Sequence, residues 1–343
     1  NAVRSMCPLT SDTLLFVKNI YGISTITIKE LVNKLKHTNS YYQVFTPSGW
    51  RDCKPVDVQA TEILRITLSN NTYIDMGINH LQPVLKDDKL TSIPAKDLEV
   101  GMFLPSCKTV LMDNQLEGSY NLGYAVGTYL GDGSKDNNGI NYSLCSFKKD
   151  NDTEKKLVEF WSSLGFRITI RNSEKNVRSI RIGDNAYQII AKFIKGNSAL
   201  NKDIEKICFN MSLDFKNGLL DGLRDTDGSR EKRRIYTASK NLCNSLISLF
   251  ASIGKKALIS YEDSREEGRL TKSNTTVYTI SFPERDSYGE YFKSDDNFNY
   301  YSIKSIKTLK STRKLYCLEV SDDSHLFLLA NGIFTHNCRL QLD

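Results

Sequence analysis

Long apolar runs, signal features and paired cysteine motifs are all missing from this 343-residue sequence. No run of 18 apolar residues occurs, which excludes a transmembrane helix. The start of the chain shows no signal-peptide pattern, so we expect a cytoplasmic protein with no membrane partner. The eight cysteines include no pair with CxxC spacing, which indicates neither a zinc site nor a disulfide framework. Free thiols suit a reducing compartment.

An excess of one charge is also missing, because 46 Lys and Arg residues stand against 40 Asp and Glu, a net charge of +6. Because this net charge is small, we expect any nucleic-acid binding to depend on local basic clusters. Hydrophobic residues make up 40% of the chain, which is enough for sizeable cores, and the length favours two domains. We expect a monomer.

Histidine is scarce, with four residues, yet one of them lies in the most informative segment, residues 331–338. The side-chain amide of Asn337 can attack its own backbone carbonyl and close a succinimide, which breaks the chain after it. His336 can donate a proton to the departing nitrogen, and Cys338 can hold an acyl group as a thioester. These residue types in this order indicate a site where the chain cuts and rejoins itself.

Residues 314–338 resemble the C-terminal splicing region of inteins, which are self-excising protein insertions. The resemblance rests on an apolar strand at 315–320, a His-x-Phe pattern that begins at His325, an Asn-Gly pair, and the final His-Asn-Cys. It implies that Asn337 cyclises with assistance from His336 and His325. It also implies that Cys338 receives the upstream segment before the final shift to an amide.

The beginning of the chain departs from the intein pattern. Leu9, Asp12 and Thr13 match the family's opening block when Pro8 takes the position of the first nucleophile. Proline has no thiol or hydroxyl, so it cannot carry the first acyl shift. Cys7 takes that position only with a one-residue insertion in the pattern. An engineered change at Pro8 that traps the precursor is a further interpretation.

Two other cysteines offer a route around Pro8. In one minority class of inteins, a cysteine at the place of Cys317, where Asp is usual, makes the first attack, and Thr stands at the place of Thr335. That class carries Trp where this chain has Gln82, so the match is incomplete. In another minority class the cysteine after the intein, here Cys338, attacks the upstream junction directly. The sequence leaves these routes open.

His80 follows two strands predicted within residues 63–74 and falls at the family's block histidine, which helps to break the upstream amide. The Thr of that block is Gly77 here. The flanks resemble a host protein, because residues 1–7 joined to residues 338–343 are similar to the double-cysteine segment of an anaerobic ribonucleoside-triphosphate reductase. The scissile junctions are then Cys7–Pro8 and Asn337–Cys338.

An internal repeat occupies the middle of the chain. Residues 122–133 and 215–228 each read as an apolar helix with small residues along one face that ends at Asp-Gly. A strand region, a helix and a basic strand follow each copy. The pattern resembles the LAGLIDADG homing endonucleases, which cut double-stranded DNA. The resemblance implies that Gly127 and Gly222 let the two helices approach closely, and that Asp132 and Asp227 meet and hold Mg²⁺.

The same resemblance implies further residues that act on DNA. Lys202 matches a lysine that assists at the scissile phosphate, the alternative being a solvated surface lysine. The second catalytic lysine stays unassigned among Lys240, Lys272 and Lys293. The residues predicted to contact DNA lie on two alternating strand faces and in a basic cluster after the second motif: Arg167, Thr169, Arg171, Lys256, Arg230, Lys232, Arg233 and Arg234. The expected target is the intein-free host gene.

These observations predict a mostly-β splicing domain of the horseshoe-like Hint type, made discontinuous by an inserted α/β endonuclease of two pseudo-symmetric halves. The predicted parts are flanks at 1–7 and 338–343, splicing segments at 8–118 and 300–337, and the endonuclease at 119–299. Five further cysteines are expected to be buried small hydrophobes: Cys53, Cys107, Cys145, Cys208 and Cys243. The alternatives are a splicing precursor with an inactive endonuclease and a reductase fragment without autoprocessing.

Overall fold

A computed structural model describes residues 4–5, 7–38, 40–58, 61–111, 116–145, 151–172, 177–229, 231, 233–263, 276–310 and 313–340. The chain forms two compact units. The first unit comprises Asn1–Asp113, Phe250–Leu258 and Glu284–Asp343. The second unit comprises Asn114–Leu249 and Ile259–Pro283. The fold is mostly β, as the sequence predicted.

Strands outnumber helices among the described residues. The strands are β1 (Arg4–Ser5), β2 (Leu9–Thr10), β3 (Leu14–Asn19), β4 (Gly22–Thr27), β5 (Gln43–Thr46), β6 (Gly49–Val56), β7 (Ile63–Leu68), β8 (Tyr73–Gly77), β9 (Leu81–Lys86), β10 (Lys89–Pro94), β11 (Phe103–Cys107), β12 (Gly133–Asp136), β13 (Gly139–Cys145), β14 (Ile168–Asn172), β15 (Val177–Ile182), β16 (Ile194–Lys195), β17 (Asp203–Ile204), β18 (Gly228–Ser229), β19 (Arg234–Thr237), β20 (Leu258–Asp263), β21 (Thr276–Ser281), β22 (Phe292–Ser294), β23 (Phe298–Leu309), β24 (Leu315–Val320), β25 (Leu326–Leu328), β26 (Phe334–His336) and β27 (Arg339–Leu340). The helices are α1 (Ile28–His37), α2 (Tyr120–Asp132), α3 (Asn151–Ser163), α4 (Ala186–Ala191), α5 (Leu213–Asp227) and α6 (Lys240–Ser252), with 3-10 turns at Ala95–Asp97 and Lys206–Asn210.

The first unit is built on one long antiparallel sheet. Its strand order is β10-β9-β11-β23-β7-β8-β2-β24-β6-β5-β3-β4, and β22 pairs with β23. Two short ribbons, β25-β26 and β1-β27, complete its β structure. Inward positions along the strands carry fully buried apolar side chains such as Leu15, Ile66 and Leu318. Alternating burial of this kind is the pattern of a strand with one face on a core.

The first unit contains residues that the predicted boundary at 299/300 assigned to the insertion. β22 and the first residues of β23 pair within its sheet, with Phe292 opposite Tyr301. Local sequence patterns in this stretch predict strands, but they do not show which unit the strands belong to. Strands pair across long sequence separations, so the boundary could not be predicted from the sequence. In the described part of the chain, no helix is long and apolar enough to cross a membrane.

The second unit places two similar halves around a pair of helices. One half contains the four-stranded sheet β12-β13-β15-β14, and the other contains β18-β19-β21-β20. A serine caps each central helix, because Ser119 accepts a hydrogen bond from the third residue of α2 and Ser212 accepts one from the third residue of α5. Each helix ends at an Asp followed by Gly, and a strand begins there. The repeat recognised in the sequence is therefore also a repeat of structure.

Glycines set how closely α2 and α5 approach. A Cβ built on Gly123 or Gly127 would overlap a backbone carbonyl of α5, and one built on Gly218 or Gly222 would overlap a carbonyl of α2. The two helices thus pack backbone against backbone along the crossing. The prediction that Gly127 and Gly222 permit close approach is confirmed.

Candidate functional site

The two predicted junctions lie side by side in the first unit. β1 pairs antiparallel with β27, with Arg4 opposite Leu340 and Ser5 opposite Arg339. The segment before Cys7 and the segment after Cys338 therefore run together as one ribbon. A pairing of this kind holds two chain segments in register through backbone hydrogen bonds. It brings together residues that the sequence separates by more than 300 positions.

Three cysteine side chains form a buried cluster at this ribbon. Cys7, Cys317 and Cys338 pack against each other, and the backbone N–H of Cys7 donates to Sγ of Cys338 at 3.3 Å. Cys317 and Cys338 form a disulfide with a Cα–Cα distance of 6.4 Å. The sequence predicted free thiols here, and the structure corrects that expectation. The spacing gave no sign of the bond, since β24 and the end of β26 converge only in the folded sheet.

The downstream junction is held by its backbone and by two histidines. The N–H of Asn337 donates to the carbonyl of His325 at 2.8 Å, and its side-chain Nδ2 donates to the carbonyl of Val320 at 3.0 Å. Among the described atoms, Oδ1 of Asn337 is buried without a hydrogen-bond partner. The rings of His325 and His336 lie 5.8 Å apart. These contacts fix the Asn337 side chain beside its own backbone.

His336 lies on the carbonyl that Asn337 would attack. Its Nδ1 is 2.7 Å from the carbonyl oxygen of Asn337, and a carbonyl only accepts, so Nδ1 carries the proton. The sequence predicted proton donation to the departing nitrogen of Cys338, whereas that N–H donates to the carbonyl of Leu318 at 2.9 Å. A ring N–H in this position can polarise the carbonyl and would stabilise negative charge on its oxygen.

The upstream junction is enclosed by the turn before His80. Gly77 N–H donates to the carbonyl of Pro8 at 2.9 Å. A Cβ on Gly77 would lie 2.7 Å from Cγ of Pro8 and 2.6 Å from a methyl group of Thr61. A side chain at position 77 would therefore collide with the proline ring. The two departures from the intein pattern, Pro8 and Gly77, fit each other.

His80 is fully buried in this turn and linked to the downstream strand. Its Nε2 lies 2.6 Å from the hydroxyl of Thr335, which donates at 2.9 Å to Oε1 of Gln82. Burial lowers the pKa of His80 to about 3, and the charge of His336 acts in the same direction. The ring is therefore neutral at ordinary pH. In the sequence, Gln82 differed from the Trp of one minority class of inteins. Its contact with Thr335 could not be predicted from the sequence.

The second unit brings the two motif carboxylates to one place. Asp132 ends α2 and Asp227 ends α5, and both charges act on the ammonium of Lys202. The carboxylate of Asp227 also lies 3.4 Å from the position of a Cβ built on Gly131. Both carboxylates thus lie near Lys202, and their meeting at one metal site stays a prediction. No cluster of three or more Asp, Glu, His or Cys side chains able to hold a metal occurs among the described residues.

Lys202 is buried rather than solvated at the surface. Its ammonium donates to the carbonyls of Tyr129 and Gly133 at 2.8 Å and to two further carbonyls at the end of α2. Burial lowers its pKa to about 8, while Asp227 and Asp132 oppose that shift. Lys202 thus holds the C-terminal end of α2 in place beside both carboxylates.

A polar sheet face in the second unit carries three of the predicted DNA contacts. Arg167 and Arg171 are exposed, and Thr169 lies opposite Arg181 on β15. Arg181, which the sequence reasoning missed, pairs with Asp136 at 2.8 Å. On the opposite face of this sheet, Ile140, Tyr142, Ile180 and Ile182 are fully buried, whereas Ile170 on β14 is 41% exposed. One side is therefore core and the other is polar and cationic.

The strand face predicted to carry Lys256 as a DNA contact is not found in the structure. Lys256 precedes β20, belongs to the first unit, and is 7% exposed. Its ammonium donates to the hydroxyl of Ser294 at 2.9 Å, so it does not lie on a DNA-facing surface of the second unit. Arg234 is exposed on β19 and Arg233 is half-buried. Arg230 and Lys232 lie outside the described residues.

The remaining predicted cysteines are buried in the structure. Cys53, Cys107, Cys208 and Cys243 are enclosed, and burial raises the pKa of each thiol to about 12. The side chain of Cys145 lies outside the described set. The four thiols are thus protonated and poor nucleophiles.

No family model matches the chain. A DNA polymerase of Acanthamoeba polyphaga mimivirus is 28% identical over 313 residues, which cover 78% of this chain and 17% of that protein. The chain therefore spans about a sixth of the relative that it matches.

The structural neighbours include inteins and a homing endonuclease. An intein from a hyperthermophile shares 15% identity over 29% of this chain and 71% of its own, with a TM-score of 0.26. The VidaL intein shares 17% identity over 29% of this chain and 70% of its own, with a TM-score of 0.27. Mesophilic variants of the homing endonuclease I-DmoI share 17% identity over 49% of this chain and 90% of theirs, with a TM-score of 0.36. Scores of this size leave the function to be argued from the chain's own residues.

Proposed function

We propose that the first unit is a protein-splicing domain that excises residues 8–337 and joins Cys7 to Cys338. The observation that carries this proposal is the meeting of both junctions in one buried cluster. Cys7 contacts Sγ of Cys338 on one side, and His336 contacts the Asn337 carbonyl on the other. A reductase fragment without autoprocessing has no need of this arrangement.

The first step is attack of a thiolate on the carbonyl carbon of Cys7. The Cys317–Cys338 disulfide must first be reduced by a thiol reductant, which frees both sulfurs beside Cys7. The sulfur–carbon bond forms, the bond to the nitrogen of Pro8 breaks, and that nitrogen takes up the proton. Cys7 carries the attacked carbonyl and lies on the upstream side of this bond, and Pro8 has no nucleophile. The fit between Pro8 and Gly77 supports a proline that belongs to this site rather than an engineered trap.

Cys317 and Cys338 can each make that first attack. Cys317→Ala should leave upstream cleavage intact if Cys338 attacks directly, and Cys338→Ala should leave it intact if Cys317 attacks. Cys317→Asp adds a control, because it restores an activity that Cys317→Ala has lost only if residue 317 relays protons. If Cys317 attacks, its thioester passes the acyl group of Cys7 to the thiol of Cys338; if Cys338 attacks, the thioester forms on Cys338 directly.

The second step is cyclisation of Asn337. Nδ2 attacks the Asn337 carbonyl carbon, His336 stabilises the oxyanion, and the bond to the nitrogen of Cys338 breaks as that nitrogen gains the proton that Nδ2 loses. The released amine of Cys338 then takes the acyl group from sulfur to nitrogen. Asn337→Ala should stop release of the downstream segment under reducing conditions while upstream cleavage continues. Equal release from both chains, read by mass spectrometry, would contradict this assignment.

We propose that the second unit cuts double-stranded DNA at a specific site. The observation that carries this is the placement of both Asp132 and Asp227 near Lys202, at the ends of two helices whose backbones touch. Two carboxylates suit a hard cation such as Mg²⁺, and DNA phosphates and water would complete its ligands. Bound there, the metal would activate water and stabilise the leaving oxygen. Lys202 positions the end of α2 that carries Asp132.

The polar face with Arg167, Arg171 and Arg181 would contact the DNA backbone and bases. The proposed target is the host sequence that encodes the joined residues 1–7 and 338–343, which resemble an anaerobic ribonucleoside-triphosphate reductase. The competing function is an insertion that binds DNA without cutting it. Linearisation of a plasmid with the joined site, in Mg²⁺ and not with chelator, distinguishes the two. The need for reduced thiols supports a reducing compartment such as the cytoplasm, and we propose that the protein acts as a monomer.

A further inference from the structure

The buried hydrogen-bond chain from Phe334 through Gln82 and Thr335 to His80 has a defined direction. Each of these three side chains is fully buried, so water does not compete for their donors and acceptors. The chain lies within the first unit, between the turn that encloses Pro8 and the strand β26 that leads to Asn337. Its direction can be read from what each group is able to donate or accept.

The carbonyl of Phe334 fixes the orientation of the Gln82 amide. A carbonyl only accepts, so the group 2.8 Å from it must be the Nε2 amino group of Gln82. Oε1 of Gln82 therefore faces Thr335. That oxygen only accepts, so the hydroxyl of Thr335 gives its single proton to Gln82 across 2.9 Å.

Thr335 then has no proton left for His80. Its oxygen, 2.6 Å from Nε2 of His80, can only accept, so Nε2 carries the ring proton. The ring is neutral because burial disfavours its charged form. A neutral imidazole with a proton on Nε2 has a bare Nδ1, and Nδ1 is buried without a hydrogen-bond partner among the described atoms.

We infer that Gln82 is a positioning residue that, through Thr335, holds His80 as the Nε2–H tautomer with a bare Nδ1 that acts as the base at the Cys7–Pro8 junction. This rests on the proposed splicing function. The carbonyls of Cys7 and Pro8 lie close enough to act on the His80 ring. Both carbonyls raise the pKa of the ring, because a carbonyl can accept a hydrogen bond only from a protonated nitrogen, so they would stabilise Nδ1 once it has taken up a proton.

The attacking cysteine gives its S–H proton to Nδ1 as the sulfur–carbon bond to Cys7 forms. The resulting imidazolium returns that proton from Nδ1 to the nitrogen of Pro8 as the carbon–nitrogen bond breaks. His80 ends neutral, Pro8 becomes a free secondary amine, and Cys7 is a thioester. No oxidant or reductant is consumed after the disulfide is opened.

The tautomer can be measured directly by nitrogen NMR of the full chain labelled in histidine. Cys317→Ala, Cys338→Ala and Asn337→Ala together keep the chain whole, and His80→Gln in the same chain assigns the signal. We expect Nε2 protonated and Nδ1 bare. In Gln82→Leu the Thr335 hydroxyl is released to donate to Nε2, so the proton should move to Nδ1. Thr335→Val removes the acceptor and should have the same result with little change in volume.

Two conservative variants separate positioning from mere packing. Thr335→Ser keeps the hydroxyl and Gln82→Glu keeps an acceptor for it, so both should retain the Nε2–H tautomer. In the otherwise native chain, Gln82→Leu and Thr335→Val should slow cleavage at the Cys7–Pro8 junction about 100-fold, the usual scale of a lost general base. The two conservative variants should stay close to the native rate.

The inference is overturned if the parent chain carries the proton on Nδ1, or if Gln82→Leu leaves the tautomer unchanged. It is also overturned if Gln82→Glu slows cleavage as much as Gln82→Leu. These outcomes differ from failure of the proposed splicing, because the tautomer is read from a chain that cannot splice. A chain with the expected tautomer and no junction cleavage after reduction would refute the base role while leaving the hydrogen-bond chain in place.

Discussion

Replacement of Lys216 by methionine should stabilise the second unit. Lys216 lies in α5, is 0% exposed, and its ammonium has no hydrogen-bond partner among the described atoms. Burial lowers its pKa from 10.5 to about 8, and nearby Cys208 opposes this shift. The difference, at 1.36 kcal/mol per pH unit, corresponds to about 3 kcal/mol for holding the charged form at neutral pH. Methionine fills similar space without a charge.

Urea unfolding at pH 7, followed through the fluorescence of the buried Trp161, measures the change. We expect the free energy of unfolding of Lys216→Met to exceed that of the native chain by about 3 kcal/mol. Lys155→Met, whose side chain is 74% exposed, is the matched control and should change little. DNA cleavage should be retained.

The pH dependence gives a second test of the same reasoning. Between about pH 8 and 10.5 the unfolded chain keeps the Lys216 proton and the folded chain has released it. Native stability should therefore rise with pH in this window relative to the methionine variant, by about 1.4 kcal/mol per pH unit at most, and the gap should close. A methionine variant less stable than the native chain, or a gap unchanged at high pH, would refute the account. Loss of DNA cleavage in a well-folded variant would instead make Lys216 a catalytic lysine.

Three further outcomes are expected. Asp132→Asn and Asp227→Asn should each abolish plasmid linearisation, while splicing proceeds at the native rate because its groups lie in the first unit; equal cutting by either variant would remove the carboxylates from the mechanism. Gly127→Val should force the helices apart at the Leu219 carbonyl, cost about 1–3 kcal/mol in urea unfolding, and weaken cutting at least as much as it weakens the fold; unchanged cutting would contradict the role of the crossing. The ring signals of His80 in proton NMR should not titrate between pH 5 and 8, because burial keeps its pKa near 3, and a midpoint inside that range would contradict its burial.

The parts of the site that sequence could predict are those where covalent chemistry dictates neighbouring residues. An asparagine that cyclises needs a histidine and an acyl acceptor at neighbouring positions, so the proposed junction at Asn337 could be predicted from three adjacent residues. The crossing of α2 and α5 was predictable for a similar reason, because close backbone approach requires glycine at helical spacing. Both patterns consist of residues close together in the sequence, so both can be recognised without knowledge of the fold.

The parts that sequence could not predict depend on strands that meet only in the folded sheet. Gln82 and Thr335 are separated by 253 positions, and nothing at either residue names the other as its partner. The disulfide joins Cys317 to Cys338, whose spacing resembles no known motif. Lys256 followed a plausible alternating pattern, yet the chain had already returned to the first unit at that point. From the sequence, Lys216 would be expected at the surface, because a long cationic side chain is rarely buried without a partner.

Reduction of the purified, oxidised chain tests the central claim most directly. Dithiothreitol is added to the full-length protein, and intact masses are recorded over time beside the Asn337→Ala variant. The account predicts that the oxidised chain is inert, and that reduction releases residues 8–337 ending in a succinimide together with a peptide that joins residues 1–7 to residues 338–343. The variant should release no joined peptide. A full-length mass that persists after complete reduction of the Cys317–Cys338 bond, identical in the native chain and the variant, would contradict it.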